Sequence, residues 1–368
     1  MSGSETQHWQ LIQRLAQRHG LHCMGVSDTD LSTCEPHLQA WLDQGMHGTM
    51  GYMARHGMAR LDVNTILPGA IRIVSLRIPY VPESLLAADT EQDGLNSQLA
   101  RVQEARQPYI SLYARGRDYH KVIRKRLQQW MDDVHAEVGP LGYRVTVDSA
   151  PTPEVEIARK AGLGWRGKHS LLVHPREGSM FFLAEVFTNL PLPLSGEFEQ
   201  DHCGTCSSCV DACPTGAILP GRVVDARRCV SYLTIEHDAG IDPELRRGLG
   251  TRIYGCDDCQ LVCPWNKFTR PAVHADFNAR PHMNEPDWAT LMCWTEADFL
   301  KHTEGSAIRR IGFWRFQRNL AVAAGNAQGE KAQLLELTGL LDAMKAGADE
   351  VLLEHIAWAQ AELNQRMA

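Results

Sequence analysis

Apolar positions in the first half of the chain switch between two periods. Trp9, Leu11, Ile12 and Leu15 recur at helical spacing, and Gly20 follows as a stop signal. Ile71, Ile73, Val74, Leu76 and Ile78 read as a buried strand that ends at Pro79. Val122, Leu127, Trp130 and Met131 mark the inward face of a long helix over about 118–138. Tyr143, Val145 and Val147 then alternate as a strand and deliver Asp148 at its end, just before Ala150 and Pro151. A short helix near 153–161 leads into a glycine-rich segment, and strands are expected over 171–174 and 180–187. This alternation predicts a layered α/β or α+β unit.

Pro191, Pro193 and Gly196 mark a boundary, and Pro264, Pro271 and Pro281 punctuate the far side of a cysteine-rich segment. From Glu285 onward the spacing is helical. Leu334, Leu337, Leu340 and Leu341 line one helix, and Val351, Leu352, Ile356 and Leu363 line another. Paired short helices predict a helical-repeat module, because a coiled-coil seam would need several sustained heptads. The expected domains are 1–195, 196–270 and 271–368.

A length of 368 residues suits two or three such units. With 44% hydrophobic and 22% charged residues, a globular core is available. Thirty-seven Lys and Arg against forty-four Asp and Glu leave a net charge of −7. That excludes binding to nucleic acid through the overall field, though not through a local basic face. No apolar run approaches the roughly 20 residues that span a bilayer. The polar start over 1–10 has neither a secretory apolar core nor a twin-arginine pair. A cytoplasmic chain without membrane contact is expected.

Eleven cysteines in such a chain call for a reason other than disulfides. Eight of them lie between positions 203 and 263, while Cys23, Cys34 and Cys293 read as ordinary small buried residues. Cys203-x2-Cys206-x2-Cys209-x3-Cys213-Pro214 is the bacterial ferredoxin run, whose fourth cysteine ligates the other cluster. Cys229 follows, then twenty-six residues, then Cys256-x2-Cys259-x3-Cys263-Pro264. Pseudo-twofold logic assigns Cys203, Cys206, Cys209 and Cys263 to one [4Fe–4S] cluster. Cys213, Cys229, Cys256 and Cys259 then hold the other. Two structural zinc sites are the alternative, but the triple C-x2-C-x2-C and both Cys-Pro endings favour iron–sulfur clusters and redox chemistry.

Other motifs are weaker. Gly162-x-Gly164-x-x-Gly167 matches the dinucleotide fingerprint, but it follows a helix and precedes a strand, the reverse of what that site needs. A tight turn, or close approach of a flat cofactor to the main chain, is the better reading. The stretch from Arg115 through Arg126 is basic with interleaved aromatics, suited to a solvated helix face or to phosphate contact. Between Arg309 and Arg318 lie four arginines and three aromatics. On one helix Arg310, Trp314 and Arg318 would share a face fitted to phosphates and unstacked bases.

Several strings together resemble the epoxyqueuosine reductase family. They are YARGRDYH at 113–120, DSAP at 148–151, AGLGWRGK at 161–168, CVSYLTIEH at 229–237, IYGCDDCQLVCPWN at 253–266, GSAIRRIG at 305–312 and RNLAVAAGN at 318–326. The resemblance implies an enzyme that uses cobalamin and two [4Fe–4S] clusters. It would reduce epoxyqueuosine at the tRNA wobble position to queuosine, the last step of queuosine biosynthesis. The implied fold is α+β, with an N-terminal α/β cobalamin-binding domain, a ferredoxin-like insert and a C-terminal HEAT-like module.

Within the resemblance Asp148 matches the proton donor. Corrin contacts are expected at Arg60, Tyr113, Tyr119, His120, Lys168, Ser170 and Ser231, and tRNA contacts at Arg309, Arg310, Arg315 and Arg318. An aspartate in water, with a pKa near ~3.9, is ionised at neutral pH. Burial beside a corrin face is expected to raise that pKa and keep the proton available. The cobalt-ligating pattern Asp-x-His-x-x-Gly is absent, since Lys-Val-Ile follows Asp118-Tyr-His120. That agrees with base-off cobalamin without a protein lower ligand. Implied partners are tRNA carrying epoxyqueuosine and a low-potential electron donor of flavodoxin or ferredoxin type, with a monomer expected. A plain electron-transfer protein would not need roughly 200 residues ahead of its clusters. A reductive dehalogenase would usually carry a twin-arginine signal.

Overall fold

The structure, a computed structural model, describes residues 3–86 and 94–368. Its organising element is a four-stranded sheet. Arg72–Pro79 pairs antiparallel with Cys23–Ser27 on one side and with Phe181–Thr188 on the other. Phe181–Thr188 pairs antiparallel with Tyr143–Thr146 at the far edge. Every pairing in this sheet is antiparallel, so of the two expected arrangements, α/β or α+β, the N-terminal alternation resolves as α+β.

Helices cover both faces, and for that reason the two inner strands read as almost continuous apolar runs. On one face Gly3–Arg18 and Tyr119–Val138 bury Ile12, Leu15, Ile123, Leu127 and Trp130 against Val74, Leu76, Ala184 and Val186. The indole of Trp130 donates to the Ile12 carbonyl at 3.1 Å, so its one polar atom is satisfied in the core. On the other face Glu154–Lys160 packs Ile157 against Ile73 and Phe187, and Ala158 against Phe181. Gly25 permits this approach, because a Cβ there would lie 1.9 Å from the Ala161 carbonyl oxygen. The segment from Gly162 to Gly167 does run from a helix into the short strand Trp165–Arg166, against a dinucleotide site.

The cysteine-rich segment is tied to this unit. Arg252–Tyr254 pairs in parallel with Tyr109–Ile110, and Ile110, Ile253 and Tyr254 share a core with Phe299, Phe316, Leu341 and Ile356 of the C-terminal helices. Packing therefore crosses the boundaries near 195 and 270. The C-terminal helices Gly312–Gly325, Lys331–Met344 and Glu350–Met367 bury Leu334, Leu337, Leu341, Leu352, Ile356 and Leu363. Val351 points outward, 38% exposed. Among the described residues no helix is long and apolar enough to cross a membrane.

Candidate active site

Two local structures meet at a cavity of about 540 Å³. The first is the start of the long helix. Asp118 is its N-cap, accepting the His120 amide at 3.2 Å. The same carboxylate holds the His120 ring at Nδ1, 2.9 Å away. Tyr119 lies flat between His120 and Phe182, with ring centroids 4.0 and 4.2 Å apart. The second is the turn after Tyr143–Thr146. Buried Val147 anchors it, and Asp148 follows with φ of +54°. Its Oδ2 accepts from His120 Nε2 at 3.1 Å and from the Tyr119 hydroxyl. Tyr113, Cys229, Ser231, Tyr254, Arg309 and Arg310 complete the lining together with apolar Met50, Val224, Ala226 and Ile235.

The protonation pattern differs from the expectation of a neutral, buried acid. The Asp148 side chain is 55% exposed toward the cavity. Its sheltered position pushes the carboxyl up, but the bonds from His120 and Tyr119 and the attraction of His120 and Arg310 outweigh this and hold it below the usual carboxylate range. Burial works against a charge on His120, yet its bonds to Asp118 and Asp148 raise it to about 9. At neutral pH the resting pair is an imidazolium between two carboxylates. The mobile proton rests on His120, beside Asp148. Burial raises the Tyr119 hydroxyl, with the Asp148 charge adding to it, so Tyr119 stays a neutral donor.

The thiols of the two runs act on one another, Cys259 feeling Cys209 as well as Cys229. Burial raises Cys263, which also feels Cys209, Cys203 and Cys206. Burial likewise raises Cys229, Cys259 and Cys256; Cys229 feels Cys213, Cys259 feels Cys229, and Cys256 feels Cys259. Iron would have to displace these protons on binding. The donor set fits anionic sulfur, since the Ala217 amide donates to Cys213 Sγ at 3.2 Å and the Trp165 indole to Cys203 Sγ at 3.4 Å. Cys206 is exposed, whereas Cys229 faces the cavity. Asp257, between Cys256 and Cys259, is buried and accepts from Tyr109 Oη and the Leu112 amide at 2.8 Å. It ties the cysteine loop to the segment that carries Tyr113.

Several expected contacts lie elsewhere. Lys168 Nζ donates to the Gly204 and Cys206 carbonyls at 2.8 Å and braces the loop around Cys206, while Ser170 Oγ donates to Arg222 O at 2.5 Å; neither lines the cavity. Arg60 stands over the Tyr52 ring, 6.0 Å from its centroid, also outside the lining. The expected arginine face does not form. Arg310 lies in the 3₁₀ turn Ala307–Ile311, and Gly312 with φ of +74° separates it from the helix carrying Trp314 and Arg318. Arg318 is fully buried and donates to the Leu233 and His237 carbonyls at 2.6 and 2.9 Å, which removes it from any nucleic-acid surface. Arg315 is spent on the Ile311 and Ile235 carbonyls at 2.7 and 3.0 Å. Arg309 and Arg310 remain at the cavity rim, Arg310 paired with Glu236.

Sequence reading did not assign Asp118, Glu236 or Tyr254 to the site. Asp118 was detectable as a capping aspartate at the head of a predicted helix; the other two reach the cavity only through tertiary packing.

A family model described as "Epoxyqueuosine reductase QueG, DUF1730" matches residues 60–149, and one described as "4Fe-4S double cluster binding domain" matches residues 202–266. An epoxyqueuosine reductase of Vibrio cholerae is 48% identical over 357 residues, covering 97% of this chain and 92% of that protein. The structure of an epoxyqueuosine reductase from Bacillus subtilis, with its catalytic aspartate loop swung out of the active site, aligns at a TM-score of 0.77 and 25% identity, over 97% and 91% of the two chains. An epoxyqueuosine reductase with an epoxyqueuosine-modified tRNA-Tyr stem loop shares the fold, with a TM-score of 0.75 and 23% identity over 97% and 100%. On the strength of its full-length relatives, the chain belongs to the epoxyqueuosine reductase family of oxidoreductases.

Proposed function

We propose that this chain reduces epoxyqueuosine at the wobble position of tRNA to queuosine, with cobalamin in the cavity and electrons arriving through two [4Fe–4S] clusters. The observation that carries the reading is the shared lining. Asp148 and His120 face the same cavity as Cys229, so proton supply and electron supply converge on one space. Removing the epoxide oxygen as water consumes two electrons and two protons. Cobalamin, when bound, supplies a reducible, strongly nucleophilic cobalt. Tyr113, Tyr119, Ser231 and the apolar wall of Val224, Ala226 and Ile235 would hold the corrin. His120 has both ring nitrogens engaged by carboxylates, so it would serve proton transfer and not metal ligation.

His120 passes its proton to the Asp148 carboxylate across their 3.1 Å contact, and Asp148 hands it on to the leaving oxygen. Crossed ligation puts Cys203, Cys206, Cys209 and Cys263 on the outer cluster. Cys213, Cys229, Cys256 and Cys259 hold the inner one. A low-potential donor of flavodoxin or ferredoxin type then meets the outer cluster near exposed Cys206, and the inner cluster faces the corrin. The C-terminal helices form a HEAT-like module, and Arg309 and Arg310 at the rim receive the tRNA backbone. We take the enzyme to be a cytoplasmic monomer.

Anaerobic incubation with epoxyqueuosine-tRNA, cobalamin and a low-potential reductant, followed by nucleoside chromatography, should yield queuosine. Unchanged epoxyqueuosine under those conditions refutes the reading. Cys263→Ala is expected to lower the iron content from about eight to about four per chain. Iron analysis with two zincs and no iron in the parent protein would refute the cluster assignment.

A further inference from the structure

Behind the Asp148 turn, on the sheet face covered by Glu154–Lys160, lie two carboxyls outside the cavity lining. Glu185 sits in the middle of Phe181–Thr188, fully buried, opposite Ser75 on one neighbouring strand and Thr146 on the other. Its Oε2 accepts from Thr146 Oγ1 at 3.1 Å. Its Oε1 is buried and meets no N–H or O–H donor among the described residues. Glu154 is the neighbouring carboxyl close enough to act on Glu185, and it could supply that donor only when protonated. A bond between two carboxyls requires a proton between them, because two carboxylates in contact cannot both stay ionised. Glu154 Oε1 in turn accepts the backbone N–H of Asp148 at 2.6 Å. That residue's φ of +54° is a conformation a non-glycine residue keeps only when its surroundings fix it.

We propose that Glu154 and Glu185 are positioning residues, sharing one proton so that the singly charged pair holds the Asp148 turn with its carboxyl toward the cavity. The consequence for catalysis rests on Asp148 as the proton donor. The groups acting on Glu185 are Thr146, Glu154 and Asp148, none of them a cation. Burial raises Glu154 well above the usual carboxylate range, with Glu185 and Asp148 adding to it. Burial pushes Glu185 up to about 8, against the bonds from Thr146 and Glu154. Raising the pH through about 8 therefore takes the shared proton and leaves two carboxylates in contact beside the Asp148 carboxylate, which works against the turn. A catalytic aspartate loop that swings out, as in the Bacillus subtilis relative, would have to break the Glu154 bond first.

The test compares Glu185→Gln, whose amide supplies a permanent N–H to Glu154, with Glu185→Leu, which supplies nothing. Hydrogen exchange at the Asp148 amide reads the turn directly, and turnover of epoxyqueuosine-tRNA reads its use. Glu185→Leu should lower Asp148 protection and kcat about tenfold each, the scale of one lost hydrogen bond, with KM for tRNA unchanged. Glu185→Gln should restore both and abolish the loss of protection that the parent protein shows as pH rises through about 8. Unchanged Asp148 protection in Glu185→Leu, or an unaltered pH dependence in Glu185→Gln, overturns the proposal. Asp148→Asn separates the two ideas: full turnover there refutes the proton-donor reading, while amide exchange still decides the role of the pair.

Discussion

On one wall of the cavity Asp118, His120 and Asp148 keep their ionisable atoms at the surface and bond to one another at 2.9 and 3.1 Å. The second region, the arginine segment 309–318, lines the cavity only at Arg309 and Arg310, and Arg309, Arg315 and Arg318 spend N–H groups on backbone carbonyls of neighbouring segments. Both segments are dense in charge, yet they do different work. A carboxylate–imidazole set can pass a proton, since each member has two accessible protonation states. An arginine on carbonyls keeps one state and serves as a multi-pronged brace. What decides the role of a charged residue here is whether its partner can change charge.

The most damaging way to break the first wall is Asp148→Asn. It keeps size and hydrogen bonding but removes the acid, and turnover is expected to fall at least ~100-fold with folding and iron content intact. The second region breaks differently. Arg318→Ala strands buried carbonyls of Leu233 and His237, and should lower unfolding free energy by about 3 kcal/mol in denaturant titration, with little direct effect on tRNA affinity. Arg310→Ala sharpens the contrast, because Arg310 is exposed at the cavity rim and pairs with a carboxylate instead of backbone carbonyls. Its loss should weaken tRNA binding and reduce the salt dependence by about one unit of log–log slope, at unchanged stability. An Arg310→Ala protein with the parental salt slope would remove this rim from the docking surface.

How far these two regions were legible in the sequence follows from their physics. The helix from Tyr119 and the strand before Asp148 announce themselves by period and by a capping aspartate, which are local signals. The cysteine spacings are equally local. The arginine face failed because helical spacing says which residues share a side, not which side packs inward, and Gly312 breaks the spacing between Arg310 and Arg318. Lys168 closes a family string, but only the fold shows that its ammonium turns to the Cys206 loop and that Ser170 turns to Arg222. Glu185 passed unnoticed inside the apolar run over 180–187, although a lone carboxylate in a strand covered on both faces is itself a signal. The pairing of Tyr109–Ile110 with Arg252–Tyr254 spans too much chain for any local pattern to reveal.

The smallest expected effect concerns the pH response of the first wall. His120 is raised from 6.5 to about 9 in the folded protein by Asp118 and Asp148, against its burial. The stability that its proton contributes is therefore fully present below pH 6.5 and lost as pH rises through about 9. Because the Asp148 side chain is 55% exposed, solvent screening reduces that contribution to roughly 1 kcal/mol. His120→Gln should flatten the fall in denaturation midpoint between pH 6.5 and 9 while leaving stability near pH 9.5 close to the parent. The same substitution removes the proton store behind Asp148. Turnover should then drop by less than in Asp148→Asn, and the decline of kcat through about pH 9 should disappear. A decline still centred near pH 9 in His120→Gln, distinct from the one near 8 expected of the Glu154–Glu185 pair, would mean that the proton reaches Asp148 from the solvent side of the cavity, and the first wall would then work as passively as the second region.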